Sequence, residues 1–196
     1  MEAAQEFDYQ FRIHIFGLSA AGKTALVDQI TDGVFLEHRT ATIAVAFKLK
    51  SIFIDEKSVR LQLWEISGSE RYMEFKDSRL SRANAIMMVY DITDKNSFDF
   101  AAQWVAEAKK NALPLTPILL LGNKADLAEK RVIDTDEGRE LAKKYDAEFY
   151  ETSAKTGAGL KELIWNLTNK LMKKEGEKQS EALKLIQEQT ANSKCY

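Results

Sequence analysis

The chain has 196 residues, of which 45% are hydrophobic and 30% charged, and its formal net charge at pH 7 is −2. This balance excludes a broad basic surface for nucleic acid, and the length suits one domain of about 150 to 180 residues followed by a tail. The single cysteine, Cys195, excludes an intramolecular disulfide and a cysteine zinc cluster, which indicates a reducing compartment such as the cytosol.

The sequence shows no signal for crossing a membrane. Its first residues, MEAAQEFDYQF, lack the basic start and the apolar stretch of a secretory signal. The longest uninterrupted apolar run, residues 85–90, is far shorter than the about 20 residues that span a bilayer. We therefore expect a cytoplasmic protein that meets membranes peripherally at most.

Six short apolar runs predict β-strands, and segments with helical spacing alternate with them. The strands are expected over residues 11–16, 44–54, 59–66, 85–92, 118–121 and 148–151, and helices over 22–30, 97–111, 134–145 and 160–174. Only Asp55, Glu56, Lys57 and Ser58 separate the second and third strands, which predicts an antiparallel hairpin. The other connections are long enough for crossover helices.

This alternation predicts an α/β fold: a six-stranded mixed sheet flanked by about five helices. Residues 1–174 are expected to form the domain and residues 175–196 a C-terminal tail. Ala182, Leu183, Leu185 and Ile186 keep a helical spacing, so the tail is a candidate extension of the last helix. Thr135 is a candidate cap of the third helix.

The segment Gly17-Leu-Ser-Ala-Ala-Gly22-Lys23-Thr24 follows the first predicted strand and opens the first helix, the context that the phosphate-binding pattern GxxxxGK[ST] requires. Two glycines let backbone N–H groups converge on phosphate, and the helix N-terminus adds partial positive charge. Lys23 is expected to neutralise β and γ oxygens, and Thr24 to offer its hydroxyl to Mg²⁺. The alternative is a chance glycine turn before a helix. The predicted phosphate-binding residues are Gly17, Ser19, Ala20, Ala21, Gly22, Lys23, Thr24 and Ala25.

A second motif is a candidate reader of the base. Asn123-Lys124-Ala125-Asp126 follows a predicted strand, and ligands of open α/β sheets bind at the carboxyl ends of strands. Guanine presents its N1–H and N2 amino group side by side, and one carboxylate, that of Asp126, can accept from both. Adenine lacks this pair of donors. Lys124 is able to lay its stem along the ring, and Asn123 to tie neighbouring loops together.

A third short segment, Thr152-Ser153-Ala154-Lys155, follows the last predicted strand and is a candidate source of donors to the base carbonyl. Taken alone, the Asn123 motif is better interpreted as a solvated turn, and this third segment carries little information. Their positions at strand ends, at this spacing after the glycine loop, favour a guanine site.

These residues resemble the Ras-like small GTPases, and most closely the Rab branch. VYDIT at 89–93, Ser97-Phe98, Trp104 and GNKADL at 122–127 recur in that branch at this spacing, and the resemblance covers about residues 7–172. It implies a P-loop GTPase G domain that binds GTP or GDP with Mg²⁺, hydrolyses GTP and acts as a monomeric switch in vesicle trafficking.

The resemblance also implies roles for residues that the motifs above do not contain. Phe35 would stack on the guanine edge, and Thr42 would close on Mg²⁺ and the γ-phosphate. The N–H of Gly68 would sense the γ-phosphate. Without the family, the preferred interpretation of Phe35 is a loop aromatic, and that of Thr42 is a threonine at the start of a strand. The implied catalytic residues are Ser69, Gly68, Lys23 and Thr42, and the implied metal ligands are Thr24, Thr42 and Glu65.

The chain departs from the family at the second switch, where Asp-x-x-Gly-Gln is replaced by Glu65-Ile-Ser-Gly68-Ser69. Glu65 keeps the negative charge that holds Mg²⁺ through water, but its extra methylene moves the carboxylate by about 1.5 Å, and Mg²⁺ demands near-ideal geometry. Ser69 replaces the glutamine that orients the attacking water. Because phosphoryl transfer depends on positioning, we expect slow hydrolysis with nucleotide binding largely intact.

Two further departures concern partners and membranes. Effectors, exchange factors and activators are expected to meet a surface with Ala44, Phe47, Trp64 and Arg79, in which Arg79 replaces the third aromatic residue of the Rab triad, so the effector is expected to be divergent. Rab proteins usually end in two lipidated cysteines, whereas this chain ends in Ser-Lys-Cys195-Tyr. One lipid gives marginal attachment, so we expect either a Cys195 that is singly lipidated on endomembranes or a terminus that is unmodified, truncated or mutated.

Two alternatives belong to other functional classes. One is a GTP-held scaffold, a pseudo-GTPase without useful catalysis, motivated by Glu65 and Ser69. The other is a P-loop kinase for a small acceptor, which the base-reading motif and the lack of a recognisable acceptor lid disfavour.

Overall fold

The computed structural model describes residues 7–37, 46–66, 80 and 82–192, with side chains described as far as residue 181. Its strands are β1 (Tyr9–Phe16), β2 (Ala46–Ile54), β3 (Lys57–Glu65), β4 (Ala85–Asp91), β5 (Ile118–Asn123) and β6 (Glu148–Glu151). The helices within these ranges are α1 (Lys23–Asp32), α2 (Lys95–Asn111), a 3₁₀ helix (Ala125–Lys130), α3 (Thr135–Lys144) and α4 (Leu160–Asn192).

The strands form one mixed sheet in the order β2-β3-β1-β4-β5-β6. Only β2 runs antiparallel to its neighbour; the pairs β1–β3, β1–β4, β4–β5 and β5–β6 are all parallel. The predicted six-stranded mixed sheet is confirmed. Because the five parallel strands end at the same edge, the loops that follow β1, β3, β5 and β6 are brought to that edge, as expected for a ligand site of an open α/β sheet.

The hairpin between β2 and β3 is tighter than predicted. Its turn has two residues, Asp55 at φ 48° and Glu56 at φ 62°, which is the left-handed pair of a type I′ turn. Such a turn matches the twist of the flanking strands, so Lys57 and Ser58 join β3 instead of forming a loop. The prediction that β3 begins at residue 59 and includes Ile66 is therefore wrong at both ends.

Other predicted boundaries shift by one or two residues, and two strands are longer than predicted because pairing continues past the apolar run. β1 begins at Tyr9, which pairs with Val59, and β5 continues to Asn123, which pairs with Asp91. The cap of α3 is Asp134 and not Thr135, since the Asp134 side chain accepts from the backbone of N3 while the Glu137 side chain accepts from the Asp134 N–H. β4 ends at Asp91, one residue before the predicted end.

The helices also differ from their predicted ranges. Helix α1 begins at Lys23 and ends at Asp32, where Gly33 provides a left-handed C-cap. Helix α2 begins at Lys95, two residues early, because the Asp94 side chain accepts from the Asn96 N–H. The last helix, α4, continues to Asn192 and so includes the residues whose spacing suggested an extension.

The chain divides into two units, residues 1–163 and residues 164–196, which are described separately. In the first, all seven residues of β4 are buried, and α2 packs on β4 and β5 with an apolar stripe. The stripe consists of Phe98, Ala101, Trp104, Val105 and Ala108. The second is the helix beyond residue 163, where the Thr168 hydroxyl donates to the Ile164 carbonyl at 2.7 Å. The domain boundary at residue 174 stays a prediction.

Candidate nucleotide-binding site

The loop between β1 and α1 is shaped by two glycines that lie against neighbouring backbone and side chains. A Cβ on Gly17, whose φ is 149°, would lie 2.2 Å from the Val89 carbonyl oxygen. A Cβ on Gly22, at φ 91°, would lie 2.4 Å from the Asn123 side-chain nitrogen. Both contacts exclude any side chain, so only glycine permits this close loop.

The N-terminus of α1 is open to an anion. Its N-cap is Gly22 in the left-handed conformation, no side-chain hydrogen bond caps it, and its first turn carries no acidic residue. The first N–H groups of a helix lack internal partners and carry partial positive charge, which suits phosphate. Of the predicted phosphate contacts, Ser19 and Ala20 lie exposed in the turn, whereas Ala21 and Ala25 are buried.

Lys23 is held inside this loop. Its side chain is buried, and its ammonium donates to the carbonyls of Gly17 at 2.8 Å and Leu18 at 2.9 Å. Burial lowers the pKa of Lys23, and the charge of Glu65 opposes that shift. An ammonium has three donors, so one remains to meet an oxygen of the ligand.

Thr24 and Glu65 join α1 to the end of β3. The Thr24 hydroxyl donates to Oε1 of Glu65 at 2.6 Å, and Glu65 is only 3% exposed. Its other oxygen, Oε2, is buried without a hydrogen-bond partner. A desolvated carboxylate oxygen without a partner fits a hard cation such as Mg²⁺, which prefers oxygen ligands.

This pair does not form a metal site by itself. In the part of the chain described by the structure, no group of three or more His, Cys, Asp or Glu side chains is placed to hold a metal. Additional oxygen ligands would therefore come from elsewhere, and phosphate oxygens beside Lys23 and the α1 N-terminus are the natural supply.

Asn123 connects the glycine loop to both candidate base-reading segments. Its side-chain nitrogen donates to the Ala21 carbonyl at 3.0 Å, and its Oδ1 accepts from the Ala154 N–H at 3.2 Å and the Thr152 hydroxyl at 3.4 Å. The residue is fully buried. One amide therefore brings together three loops that are distant in sequence.

Asp126 lies beside the loop that follows β6. Its Oδ1 accepts from the Ser153 hydroxyl at 2.5 Å, and the residue remains exposed. The Ser153 oxygen in turn accepts from the Thr156 N–H at 3.1 Å, which orients the hydroxyl toward the carboxylate. This fixes the direction of Asp126 while leaving carboxylate lone pairs for a ligand.

Lys124 is anchored by a residue that the sequence reasoning missed. Its ammonium lies 2.6 Å from Oδ2 of Asp91, and its stem approaches Gly22, with Cε 3.8 Å from the position of a Cβ there. Asp91 is held by the Thr93 hydroxyl at 2.7 Å. The signal that would have identified Asp91 is an acidic residue at the end of the fully buried strand β4.

The remaining predicted site residues are not brought together by the described structure. Phe35 lies half-buried in the loop after α1, and Lys155 is exposed. The Ala154 N–H, a candidate donor to the base carbonyl, is engaged by Asn123. Thr42, Ala44, Gly68, Ser69, Arg79 and Cys195 lie outside the described residues.

Two residues of the predicted partner surface are described. The rings of Phe47 and Trp64 pack on each other, with centroids 4.7 Å apart, and Phe47 is 44% exposed.

No helix in the described ranges is both long and apolar enough to span a membrane.

Comparison with known proteins places the chain in a family. The Ras family profile matches residues 12–173. Human Ras-related protein Rab-15 is 39% identical over 165 residues, which cover 84% of this chain and 78% of that protein. Human Ras-related protein Rab-8B is 34% identical over 179 residues, covering 91% and 86%, and Ras-related protein RABD1 of Arabidopsis thaliana is 34% identical over 173, covering 88% and 84%.

Members of this family are GTP hydrolases that bind GTP or GDP with Mg²⁺. The match covers the glycine loop, both candidate base-reading segments and the end of β3. The chain therefore belongs to the Ras family of small GTPases and, within it, to the Rab branch.

Proposed function

We propose that this protein is a guanine-nucleotide switch of membrane trafficking whose intrinsic GTP hydrolysis is slow. The observation that carries the proposal is the position of Asn123, whose amide joins the glycine loop to the segments holding Asp126 and Ser153. A phosphate cradle and a base reader that share one buried residue form a single site for a nucleotide.

Guanine selectivity rests on Asp126. The Ser153 hydroxyl occupies one of its oxygens, and the exposed carboxylate still has lone pairs for the paired N1–H and N2 donors of guanine. Adenine would leave these lone pairs unsatisfied, which costs several kcal/mol in a site built on paired hydrogen bonds.

Phosphate binding rests on Lys23, Thr24 and the α1 N-terminus. Lys23 is already desolvated and oriented by two carbonyls, so little reorganisation is needed when an anion arrives. When bound, Mg²⁺ would neutralise β and γ oxygens beside Thr24 and Glu65. Thr42 and Gly68 are proposed to close on the γ-phosphate, and Phe35 to cover the guanine edge.

Slow hydrolysis is proposed because of Ser69. A hydroxyl on a one-carbon stem does not reach where the family's glutamine orients the attacking water. Phosphoryl transfer depends on the alignment of this water with the γ-phosphorus, so its loss affects the rate more than binding. A scaffold that holds GTP without useful turnover is the second candidate, favoured by the buried Glu65 where the family has aspartate.

One experiment distinguishes these functions. Purified protein is loaded with GTP, and phosphate release is measured in a single turnover, with ATP competition for the site measured in parallel. The switch requires selective GTP binding and slow but measurable release that an activator from cell extract accelerates. No release under either condition supports the scaffold, and ATP binding within about tenfold of GTP rejects the guanine site.

We propose that effectors meet the exposed face of β2 and β3. Three apolar side chains of β2 lie on it, Phe47, Leu49 and Phe53, which are 44%, 46% and 72% exposed. The Arg12 guanidinium lies 5.5 Å from the Trp64 ring on the same face. A protein segment with apolar residues flanked by acidic ones fits this composition. Ala44 and Arg79 are proposed to extend the surface.

Localisation remains a proposal of the same kind. A monomeric, cytoplasmic protein that reaches endomembranes peripherally is expected if Cys195 carries one lipid. Intact-mass measurement of the protein isolated from cells tests this directly, since an unmodified mass excludes lipidation.

A further inference from the structure

The backbone fixes Glu65 beside the glycine loop. It is the last residue of β3 and pairs with Ile15, two residues before Gly17. The Ile66 N–H donates to the Ile15 carbonyl at 3.0 Å, so β3 stays beside β1 to this point. The carboxylate therefore starts from a rigid strand end, and its reach is set by its own side chain.

The two oxygens of Glu65 have different environments. Oε1 accepts from the Thr24 hydroxyl at 2.6 Å, whereas Oε2 is buried and has no hydrogen-bond partner. The buried ammonium of Lys23 donates to the carbonyls of Gly17 and Leu18, and not to Oε2. A carboxylate oxygen that has lost its water without gaining a donor is unfavourable unless a cation meets it.

The Thr24 hydroxyl limits where that cation lies. If Thr24 gives its lone pair to a metal, its proton remains with Oε1, which leaves Oε2 as the oxygen of Glu65 available to the same metal. The two oxygens of a carboxylate are about 2.2 Å apart, and neighbouring ligands of an octahedral cation are about 3 Å apart. A Thr24 oxygen that lies 2.6 Å from Oε1 is therefore compatible with Oε2 and Thr24 as neighbouring ligands of one cation.

We propose that Glu65 binds the divalent cation of the nucleotide directly through Oε2, where the family's shorter aspartate holds it through a water molecule. This inference rests on the proposed nucleotide site. The directly bound carboxylate replaces one water ligand of the cation. Because Mg²⁺ demands near-ideal octahedral geometry, a site with the longer and more flexible glutamate side chain should bind Mn²⁺ more readily than Mg²⁺.

The test counts water ligands on Mn²⁺ bound with GDP, which carries no γ-phosphate for Thr42 to approach and undergoes no hydrolysis. The full-length protein is loaded with Mn²⁺ and GDP in ¹⁷O-enriched water, and the broadening of the electron paramagnetic resonance lines gives the number of waters. With Thr24 and one phosphate oxygen as ligands, direct binding by Glu65 leaves about three waters and indirect binding about four.

The matched variant is Glu65→Asp, which restores the family's residue and is expected to bind one more water than wild type. Equal counts of about four in both proteins overturn the proposal. Wild type alone is decisive if the variant does not fold, since its own count separates the two arrangements. A protein that binds no GDP at all contradicts the proposed function and is recognised before any water is counted.

Discussion

The two ends of the candidate site differ in how completely the protein satisfies the hydrogen-bonding groups of their side chains. At the base end, Asn123, Ser153 and Asp126 form hydrogen bonds among three loops and leave one carboxylate surface for a ligand. At the phosphate and metal end, Glu65 keeps a buried oxygen without a partner. The sequence of the base end follows the family pattern, whereas the segment that begins at Glu65 departs from it at Glu65 and Ser69.

From this difference we expect recognition and turnover to be separable in this protein. A selective base site needs fixed donors and acceptors before the ligand arrives, and the Asn123 contacts supply that order. Hydrolysis needs alignment only in the transition state, so it can change while ground-state binding persists. Changes at one end should therefore leave the other's property intact.

The largest effect is expected from Lys23→Ala, which removes the only buried ammonium of the described residues beside the glycine loop. We expect GTP affinity to fall by at least about hundredfold, because a charge-assisted contact to phosphate is lost in a desolvated site. Isothermal titration with GTP and Mg²⁺ measures this loss.

The same variant should lose the stabilisation that nucleotide gives to wild type, since a ligand that binds only the native state raises the melting temperature in proportion to the logarithm of its excess. Thr31→Ala, at the far end of α1, is the matched control and should keep the ligand-induced shift. If GTP does not change the melting temperature of wild type, neither the base end nor the phosphate end of the candidate site binds nucleotide.

The next largest effect is expected at the base end, from a change at Asp126. Asp126→Asn should lower GTP affinity by about 10²-fold and shift preference toward xanthosine triphosphate, because xanthine replaces the amino donor by a carbonyl. Competition titration with both nucleotides measures the preference. Glu65→Asp should leave the guanine preference unchanged. If it changed that preference as much as Asp126→Asn, the two ends would not be separable.

A smaller effect is expected on the rate of GTP hydrolysis, from a change at Ser69. Ser69→Gln should accelerate single-turnover phosphate release by about tenfold or more while GDP affinity stays unchanged, because the side chain acts mainly in the transition state. Adding Glu65→Asp should accelerate it further. Wild type that already hydrolyses GTP as fast as Ser69→Gln would mean that another residue positions the water.

The smallest effect concerns the flank of the site, where Lys48 of β2 bonds Asp28 at 2.5 Å and Asp32 at 2.6 Å. Lys48→Met should lower Tm by about 1 to 2 °C, since partly exposed ion pairs stabilise little. Differential scanning calorimetry measures it, with Lys57→Met at the distant hairpin as control. Neither variant should alter base preference or the rate of hydrolysis. A change in either property would show that residues of α1 and β2 also contribute to the site.

The Lys48 contribution should also depend on pH. The Lys48 ammonium lowers the pKa of Asp32 below its usual 3.8. A depressed carboxyl pKa adds stability above the unfolded pKa, and that stability is lost as the pH falls through the folded pKa. The Tm difference between wild type and Lys48→Met should therefore shrink below about pH 4. A difference that persists at pH 2 would point to packing of the lysine stem instead.

Much of the fold follows from local patterns in the sequence. The apolar runs located β4 and β5 because a parallel strand that is buried on both faces is apolar along its length. They located β2 and β3 through alternating apolar residues, since these two strands bury mainly one face. The predicted boundaries were wrong where strand pairing or capping decides them. The two-residue turn at Asp55 and Glu56 lets Lys57 and Ser58 pair within β3. The hydrogen bond of the Glu137 side chain makes Asp134 the cap of α3. Such outcomes depend on partners that a local window does not contain.

The sequence by itself determined the residue types of the site, because a glycine loop before a helix and an Asn-Lys-x-Asp segment after a strand each have a chemistry that few other patterns share. Only the tertiary structure decided which residues join them. Asn123 reaches Ala21 across 102 positions of sequence, and Lys124 meets Asp91 across the β4–β5 pair. Parallel strands bring their ends to one edge whatever their separation in the chain, so these contacts exist only once the sheet has formed.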